Sequence, residues 1–482
     1  MALGTISFEQ EPIGDSTTLP VITNWNPIIP YAVKQTDISG LFYFKFILEI
    51  RMDTSGGTII GKLKQRKNGS TSGTSNVAAI FDVKEIINSQ IKDTIADQND
   101  ETKPLHLLGA NVVAKPFSIN KNQVKTIYVK AYQSFSSSAT ASPSEDTSTT
   151  VNDTKRYIQA SLPLETTRGT TDFQDTAFDT YSLNGPTKKL LSDAPTYLDV
   201  LPNSSVIRNK VRTTDYHTVG FLNGQTDFNS SARMFRISYY DGANALIGSA
   251  QLIENSAAHG GSKPETSGGE VNEDSERIIY FGCGPANLEA STVTPSGGSS
   301  GDAQPSNFSN WAYYTVQAAN NAGSSNLSQK YYFILDDDNC KGFKIRRLAW
   351  INSKGCWDYY NFKMKSIQTV GIKRNNYETM LGDYNSATYS YNNFDRGKRT
   401  RKTEARMKET LNTDFISESE AGFLQNLMVS TNVYVIENDY TDFTVPVMVS
   451  NSSFVKKTLA NNKLKIQYSV NIEYANPINT NS

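Results

Sequence analysis

The chain has 482 residues, 38% hydrophobic and 20% charged, and its 47 basic and 48 acidic residues give a net charge of −1. This apolar content supports packed cores and excludes wholesale disorder. The balanced charge provides no global attraction to nucleic acid or to an anionic membrane. No apolar stretch approaches the ~18 residues of a membrane-spanning helix, and the first ten residues lack a signal-peptide pattern. The three cysteines, Cys283, Cys340 and Cys356, do not predict a disulfide framework.

The first section, residues 1–135, is expected to form one β domain behind an extended N-terminal arm. Apolar residues alternate with polar ones from Phe42 to Met52, which predicts a strand with one buried face. Asp82 with Glu85 resembles a capping box, so we expect a helix to begin there. Residues 124–132 predict a further strand.

The middle section, residues 136–310, is expected to be a loop-rich β domain. The Ser/Thr-rich stretch 135–153 holds almost no large apolar residue and predicts a linker or an exposed loop. Short strand-like pieces follow, separated by turn signals. Two Gly/Ser-rich stretches, 256–276 and 290–309, predict exposed loops.

The last section, residues 311–482, is expected to be a β domain with one short helix. Ser417 and Glu420 form a capping box ahead of an apolar stripe, which predicts a helix from about 418 to 429. Residues 463–474 alternate strictly between apolar and polar, which predicts a final strand. The fold class is therefore mainly β, a multi-domain β-sandwich or barrel architecture with a few short helices packed on the sheets.

The sequence holds no arrangement typical of catalysis, and we expect no enzyme and no cofactor. The three histidines lie far apart and flank no cysteine pair, so no metal site is expected. The acidic run 336–339 is interpreted as a solvated turn, since it lacks the Gly and the distal Glu of a calcium loop. A G-x-S-x-G string at 297–301 lies in a Gly/Ser-rich loop without the strand and helix of a nucleophile elbow. Carboxylate pairs for glycoside hydrolysis stay open, because they converge in space and not in sequence.

One stretch of the chain is a candidate interface. A tyrosine- and asparagine-rich segment, 384–394, precedes a concentrated basic run. The alternatives are a surface loop with aromatic anchors, a solvated arm, a contact with an acidic partner, and a grip on phosphates. The basic run has no interleaved stacking aromatics, so nucleic acid is not the expected partner. The candidate interface residues are Tyr384, Tyr389, Tyr391, Arg396, Lys398, Arg399, Arg401 and Lys402.

Residues 347–360, RLAWINSKGCWDYY, resemble a pattern of structural proteins of tailed bacteriophages, of the marine or Bacteroidetes-phage type. The C-terminal block with its 418–429 helix is similar to the same group, as is the Phe81-Asp82-Val83 helix entry. The resemblance covers roughly residues 35–130 and 330–475 and carries no catalytic residues. It implies tail or baseplate architecture, in which subunits form symmetric rings.

The expected function is therefore an oligomeric scaffold of a phage tail, baseplate, tail tip or tail adaptor. The expected partners are other virion tail or baseplate proteins and further copies of the chain in a symmetric ring. The expected location is the virion, assembled in the host cytoplasm. One alternative is a receptor-binding or fibre-like attachment protein that contacts a host surface glycan or receptor through residues 160–310. Another is a glycan-degrading enzyme.

Overall fold

The chain forms two compact units in a computed structural model. The first unit comprises Met1–Asp336 and Asn352–Asp358, and the second comprises Asp337–Ile351 and Tyr359–Ser482. The three-domain division expected from the sequence stays a prediction. The structure describes residues 4–12, 21–23, 28–67, 75–92, 95–120, 122–161, 180–181, 183–198, 205–222, 231–261, 278–321, 323–337, 342–395, 397–436, 444–455 and 466–478.

The first unit is built from short strands, as expected for a chain rich in aromatic and β-branched residues. Its described strands are β1 (Ile6–Gln10), β2 (Val21–Thr23), β3 (Tyr31–Asp37), β4 (Phe42–Met52), β5 (Ile59–Arg66), β6 (Ser75–Phe81), β7 (Ala96–Asp97), β8 (Asp100–Pro104), β9 (Phe117–Asn120), β10 (Val124–Ser136), β11 (Ser144–Ile158), β12 (Thr196–Leu198), β13 (Ser205–Val211), β14 (Thr218–Phe221), β15 (Met234–Tyr240), β16 (Leu246–Glu254), β17 (Ile278–Gly282), β18 (Tyr313–Ala319) and β19 (Tyr331–Leu335). Its described helices are α1 (Lys84–Asn88) and α2 (Pro285–Ala290).

Two sheets of the first unit share one core. A five-stranded sheet has the order β2-β11-β10-β4-β5, and a three-stranded sheet has the order β1-β3-β6. Phe46, Leu48 and Ile50 of β4 are buried together with Tyr31 of β3 and Phe81 of β6. The alternation in β4 therefore places one apolar face against the second sheet, as in a β-sandwich.

A second core in the same unit lies among nine further strands. A six-stranded sheet has the order β12-β13-β19-β18-β15-β16, and a three-stranded sheet has the order β14-β17-β9. The rings of Tyr314 and Phe333 stack at 5.0 Å, and those of Phe117 and Phe281 stack at 4.7 Å. These aromatic pairs fill the interior of this half of the unit. The mainly β fold class is confirmed.

Two local predictions in the first unit are wrong in part. The Ser/Thr-rich stretch 135–153 is an exposed loop only between the two strands, at residues 137–143, because β11 pairs with β10 from Ser144 to Ile158. Its outer residues are exposed or half-buried, so that part of the strand needs no large apolar side chain. The capping box predicted at Asp82 and Glu85 does not form: the helix is present as α1, but its N-cap residue is Val83, which makes no side-chain cap hydrogen bond.

The described residues of the second unit form one seven-stranded sheet, one two-stranded ladder and one helix. The strands and helix are β20 (Arg346–Ile351), β21 (Trp357–Phe362, of which the second unit holds 359–362), β22 (Ile367–Glu378), β23 (Asp383–Tyr384), β24 (Tyr389–Ser390), β25 (Lys398–Asn412), α3 (Glu418–Val429), β26 (Val433–Ile436), β27 (Thr444–Val449) and β28 (Ser469–Tyr474). The seven-stranded sheet has the order β21-β20-β26-β27-β28-β25-β22.

The predicted helix of this unit is confirmed, and the predicted final strand is confirmed from Ser469 to Tyr474, whereas residues 466–468 are described but lie outside β28. Ser417 and Glu420 form a reciprocal capping box at the start of α3. Val470, Ile472 and Tyr474 of β28 are buried and alternate with exposed or half-buried residues. Residues 463–465 of the predicted final strand lie outside the described residues. No helix in the described part of the chain is both long and apolar enough to span a membrane.

Candidate functional site: an exposed hairpin arm

Strands β22 and β25 form a hairpin that extends past the rest of their sheet. Register pairs join all of β22 to β25, whereas β28 pairs with β25 only from Lys408 to Asn412. Among the described strands, β22 is therefore the only neighbour of β25 from Lys398 to Met407. The Ala405 carbonyl accepts a backbone hydrogen bond from Ile478 at 2.7 Å, and the seven residues before it, at ~3.3 Å each, make about 23 Å of two-stranded ribbon. Residues 367–412 are called the hairpin arm below.

The hairpin arm has an apolar face and a basic face. Val370 lies opposite Met407 and Ile372 opposite Ala405, and this face continues along β25 to the buried Leu411. Val370 is 48% exposed and Ile372 is 50% exposed. Residues directly opposite in an antiparallel pair share a face, so the other face carries lysines and arginines. The side chains of this basic face include Lys373, Lys402, Glu404, Arg406 and Lys408.

The tip of the hairpin arm presents aromatic side chains to solvent. Tyr384 and Tyr389 are register partners in the small β23–β24 ladder. Tyr391 is 65% exposed and Phe394 is 80% exposed. Gly382 has φ +72°, and a Cβ there would lie 2.2 Å from the Ser390 carbonyl oxygen, so the tip turn requires glycine.

A buried carboxylate fixes the base of the hairpin arm to the sheet. Glu409 accepts hydrogen bonds from Arg346 Nε at 2.9 Å, Tyr474 Oη at 2.9 Å and Gln368 Nε2 at 3.3 Å. Burial alone raises the pKa of Glu409, but the hydrogen bond and charge of Arg346 outweigh it and hold that pKa below its ordinary value. The charged Glu409 side chain on β25 is therefore hydrogen-bonded to residues of β20, β22 and β28, and it anchors the base of the arm.

The structure brings the candidate residues from the sequence into one element. Lys398 lies opposite Glu378, and Arg399 lies opposite Tyr377. Lys402 pairs with Asn375 next to the register shift of the β22–β25 ladder, and Arg401 is the unpaired residue at that shift. The three tyrosines lie at the tip. Arg396 lies outside the described residues.

The sequence reasoning missed that this basic run is a strand with a partner. The signal was present, because apolar residues alternate with charged or polar ones at Val370 and Ile372 and again at Ala405, Met407 and Leu411. Eight charged side chains from 398 to 409 obscured that alternation. Counting apolar residues at every second position would have identified both strands.

A second surface feature is an open groove on the first unit. It is lined by Tyr43, Lys45, Arg66, Lys67 and the loop at residues 140–143. Tyr43 adopts φ +55° and donates a hydrogen bond from its hydroxyl to the Ala139 carbonyl at 2.6 Å. Three cations beside an aromatic ring suit an anionic ligand.

Among the described residues no group of three His, Cys, Asp or Glu side chains could hold a metal ion. Cys283 and Cys356 are buried free thiols, whereas Cys340 lies outside the described part of the chain. No protein-family model and no curated protein matches the sequence.

Proposed function

We propose that the chain is a structural subunit of a tailed-phage virion, part of its tail, baseplate, tail tip or tail adaptor. In this proposal the hairpin arm binds a neighbouring copy of the same chain in a symmetric ring. The observation that carries it is the arm itself: from Ile367 to Phe394 every residue except Gly382 is exposed, although the segment holds valine, isoleucine and five aromatic residues. Contiguous exposed apolar side chains mark binding surfaces in soluble proteins.

The charge of the arm favours a second copy of the chain as its binding partner. Residues 367–412 hold nine basic and five acidic residues, a net charge of +4, while the whole chain carries −1. The rest of the chain is therefore net acidic, so the arm of one copy is attracted to the body of another. In a ring each copy supplies its own arm and binds the arm of a neighbour, so the same pair of surfaces forms every contact.

The backbone of β22 supplies a further means of contact. Among the described strands, β25 is the only neighbour of β22 in the sheet, so the opposite edge presents unpaired N–H and C=O groups. Natural proteins cover or charge such edges, since they template pairing with another chain. The resemblance of residues 347–360 to phage structural proteins adds the context of a virion to this geometry.

Sedimentation velocity over a range of concentrations tests the proposal. We expect the wild-type chain to form a discrete oligomer and Tyr391→Ser with Phe394→Ser to shift it toward the monomer. Val429→Ser is the matched control, because Val429 is 73% exposed in the same unit but lies outside the arm. A wild-type chain that stays monomeric at every concentration, or an oligomer that the tip variant leaves unchanged, would contradict the proposal.

The groove on the first unit supports a second candidate function, attachment to a host surface receptor. Its three cations fit an acidic glycan, although the sequence interpretation placed receptor contact in residues 160–310. The test is binding of fluorescent protein to host cells, with Lys45→Ala and Arg66→Ala in one variant. Saturable binding by the wild type that the double variant abolishes would support attachment through the groove. Equal binding by the wild type and the double variant would show that the groove does not bind the receptor.

A further inference from the structure

A lysine and an aspartate contact each other in the interior of the first unit. Lys354 belongs to the segment Asn352–Asp358, which is part of that unit. Only 8% of Lys354 is exposed, and its Nζ contacts a carboxylate oxygen of Asp193. The ring of Tyr181 lies 5.7 Å from the same nitrogen. A buried amine in such surroundings loses most of the hydration that favours its charged form.

Hydrogen bonds hold the Asp193 carboxylate in place. Its Oδ2 accepts from the backbone N–H of Ser353 at 2.9 Å and from the Ser353 hydroxyl at 2.9 Å. Leu191, two residues earlier in the chain, is fully buried, and its N–H donates to the Gly220 carbonyl at 2.8 Å. The carboxylate is therefore held on a fixed segment beside the amine.

A second carboxyl group completes the cluster. Asp358 is 1% exposed and accepts hydrogen bonds from the Ser192 hydroxyl at 2.6 Å and from Asn352 Nδ2 at 2.8 Å. The backbone N–H of Asp193 donates to Asp358 Oδ2 at 2.8 Å. The Asp358 carboxyl is thus joined directly to the residue whose side chain contacts the amine of Lys354.

Close packing fixes the backbone conformation of the turn that carries Lys354. Gly355 has φ +80°, and a Cβ there would lie 1.8 Å from the Gln159 carbonyl oxygen. The Gly355 carbonyl accepts a hydrogen bond from the buried Gln123 Nε2 at 2.6 Å. This close packing on both sides of the turn fixes where the lysine side chain enters the interior.

Burial favours the uncharged forms of two of these groups. It lowers the pKa of Lys354 to about 8, and the Asp358 charge only partly opposes that shift. Burial raises the pKa of Asp358 to about 6, against the hydrogen bonds from Ser192 and Asn352. A neutral amine is the nucleophilic form of lysine, and a protonated carboxyl can donate a proton to a leaving group.

We propose that Lys354 and Asp193 join in an intramolecular amide bond, with Asp358 as the proton carrier. Lys354 first passes one proton from its ammonium group to the Asp193 carboxylate that it contacts, and its neutral Nζ then attacks Cγ of the resulting carboxyl group. The Nζ–Cγ bond forms, the bond from Cγ to the hydroxyl oxygen breaks, and one water molecule leaves. Asp358 takes a proton from the attacking nitrogen and returns one to the departing hydroxyl, so it ends unchanged. The reaction requires no oxidant, reductant or further reactant.

The cross-link suits the site better than a permanent ion pair. Two charges removed from water are stabilised poorly by their mutual attraction, whereas an amide keeps hydrogen-bonding capacity without net charge. The bond joins residues distant in sequence and restrains the unfolded chain as a disulfide does, yet survives in a reducing compartment. It is independent of the proposed role of the hairpin arm.

The intact mass of the denatured full-length chain tests the bond directly. We expect a mass below that of the sequence by one water, about 18 Da, and a digest peptide pair joined through Lys354 and Asp193. Lys155 is the internal control, because it is buried in an ion pair with Asp153 at 3.2 Å and should stay unmodified. A folded chain with the full sequence mass would overturn the proposal and leave a buried ion pair.

Three variants separate the roles of the residues. Asp193→Asn should still react, losing ammonia, so its final mass should equal that of the cross-linked wild type. Lys354→Arg should keep the full mass of its own sequence, because the guanidinium does not form the amide. Asp358→Ala keeps both reactants and should also retain its full mass, with circular dichroism reporting its fold. Loss of water in Asp358→Ala would overturn the role of Asp358, and an unreacted Asp193→Asn beside an 18 Da loss in wild type would overturn the assignment of Asp193.

Discussion

The segment Asn352–Asp358 and the hairpin arm, residues 367–412, both carry charged side chains within 60 residues of sequence, but their surroundings are opposite. In the first segment Lys354 and Asp358 are buried, and each contacts an oppositely charged or hydrogen-bonding group. From Ile367 to Phe394 of the arm, the charged and the apolar side chains are exposed together. Residue type alone therefore does not determine whether a charged side chain is buried or exposed, because the neighbouring residues in the fold decide whether that side chain is desolvated.

Gly355→Ala is expected to have the largest effect on the buried segment. The added Cβ would overlap a backbone carbonyl at a position with positive φ, so the first unit should lose at least about 4 kcal/mol of stability. Chemical denaturation followed by fluorescence measures the loss. Gly242→Ala is the matched control, since nothing lies within 4 Å of a Cβ there and its stability should be unchanged. Equal unfolding midpoints for both variants would show that the turn can shift.

Glu409→Gln should destabilise the base of the arm next. It leaves Arg346 buried without its carboxylate, which costs about 3 kcal/mol in comparable pairs. Thermal unfolding measures the change, and Glu404→Gln, at an exposed position, should leave the melting temperature unaltered. A melting temperature that is the same for both variants would contradict the anchor.

The depressed pKa of Glu409 predicts acid sensitivity of the second unit. Its ionised form contributes stability at neutral pH, and this contribution should disappear as the pH falls from 4.5 through the lower pKa of the folded state. Melting temperature against pH measures it, with Glu409→Gln as reference. The gap between wild type and Glu409→Gln should narrow at acid pH, and a constant gap would contradict the assignment.

Substitutions on the apolar face of the arm should separate stability from assembly. Val370→Ser with Ile372→Ser should change unfolding free energy by less than about 0.5 kcal/mol per site, since both residues are half exposed. The same variant should weaken self-association about tenfold, the equivalent of 1.4 kcal/mol. A large stability loss with unchanged association would mean that the face packs within its own chain.

Charge reversal at the arm should have the smallest effect. Lys398→Glu with Arg401→Glu is expected to weaken self-association at low salt, with the difference shrinking as salt is raised. Light scattering at two ionic strengths measures this. Lys92→Glu with Lys130→Glu, two changes outside the arm, is the charge-matched control, and an equal effect there would point to net charge and not to the arm.

The sequence predicted strands wherever one face is buried and the other is wet. The described part of the final strand shows this alternation, whereas Phe42–Met52 is buried on both faces from Phe46 to Ile50, and the Ser417 capping box marks the start of α3. Strand β11 was missed because its outer half buries little, and β22 and β25 because charges interrupt their apolar face. The Lys354 cluster was missed because Asp193 and Asp358 approach it only in the fold.

An electron cryomicroscopy reconstruction of the assembled chain tests the central claim most directly. The account predicts a symmetric ring in which the arm of each copy is buried against the acidic body of the next, with Tyr391 and Phe394 at the contact. A reconstruction in which the arms project into solvent, or in which other surfaces join the copies, would contradict it.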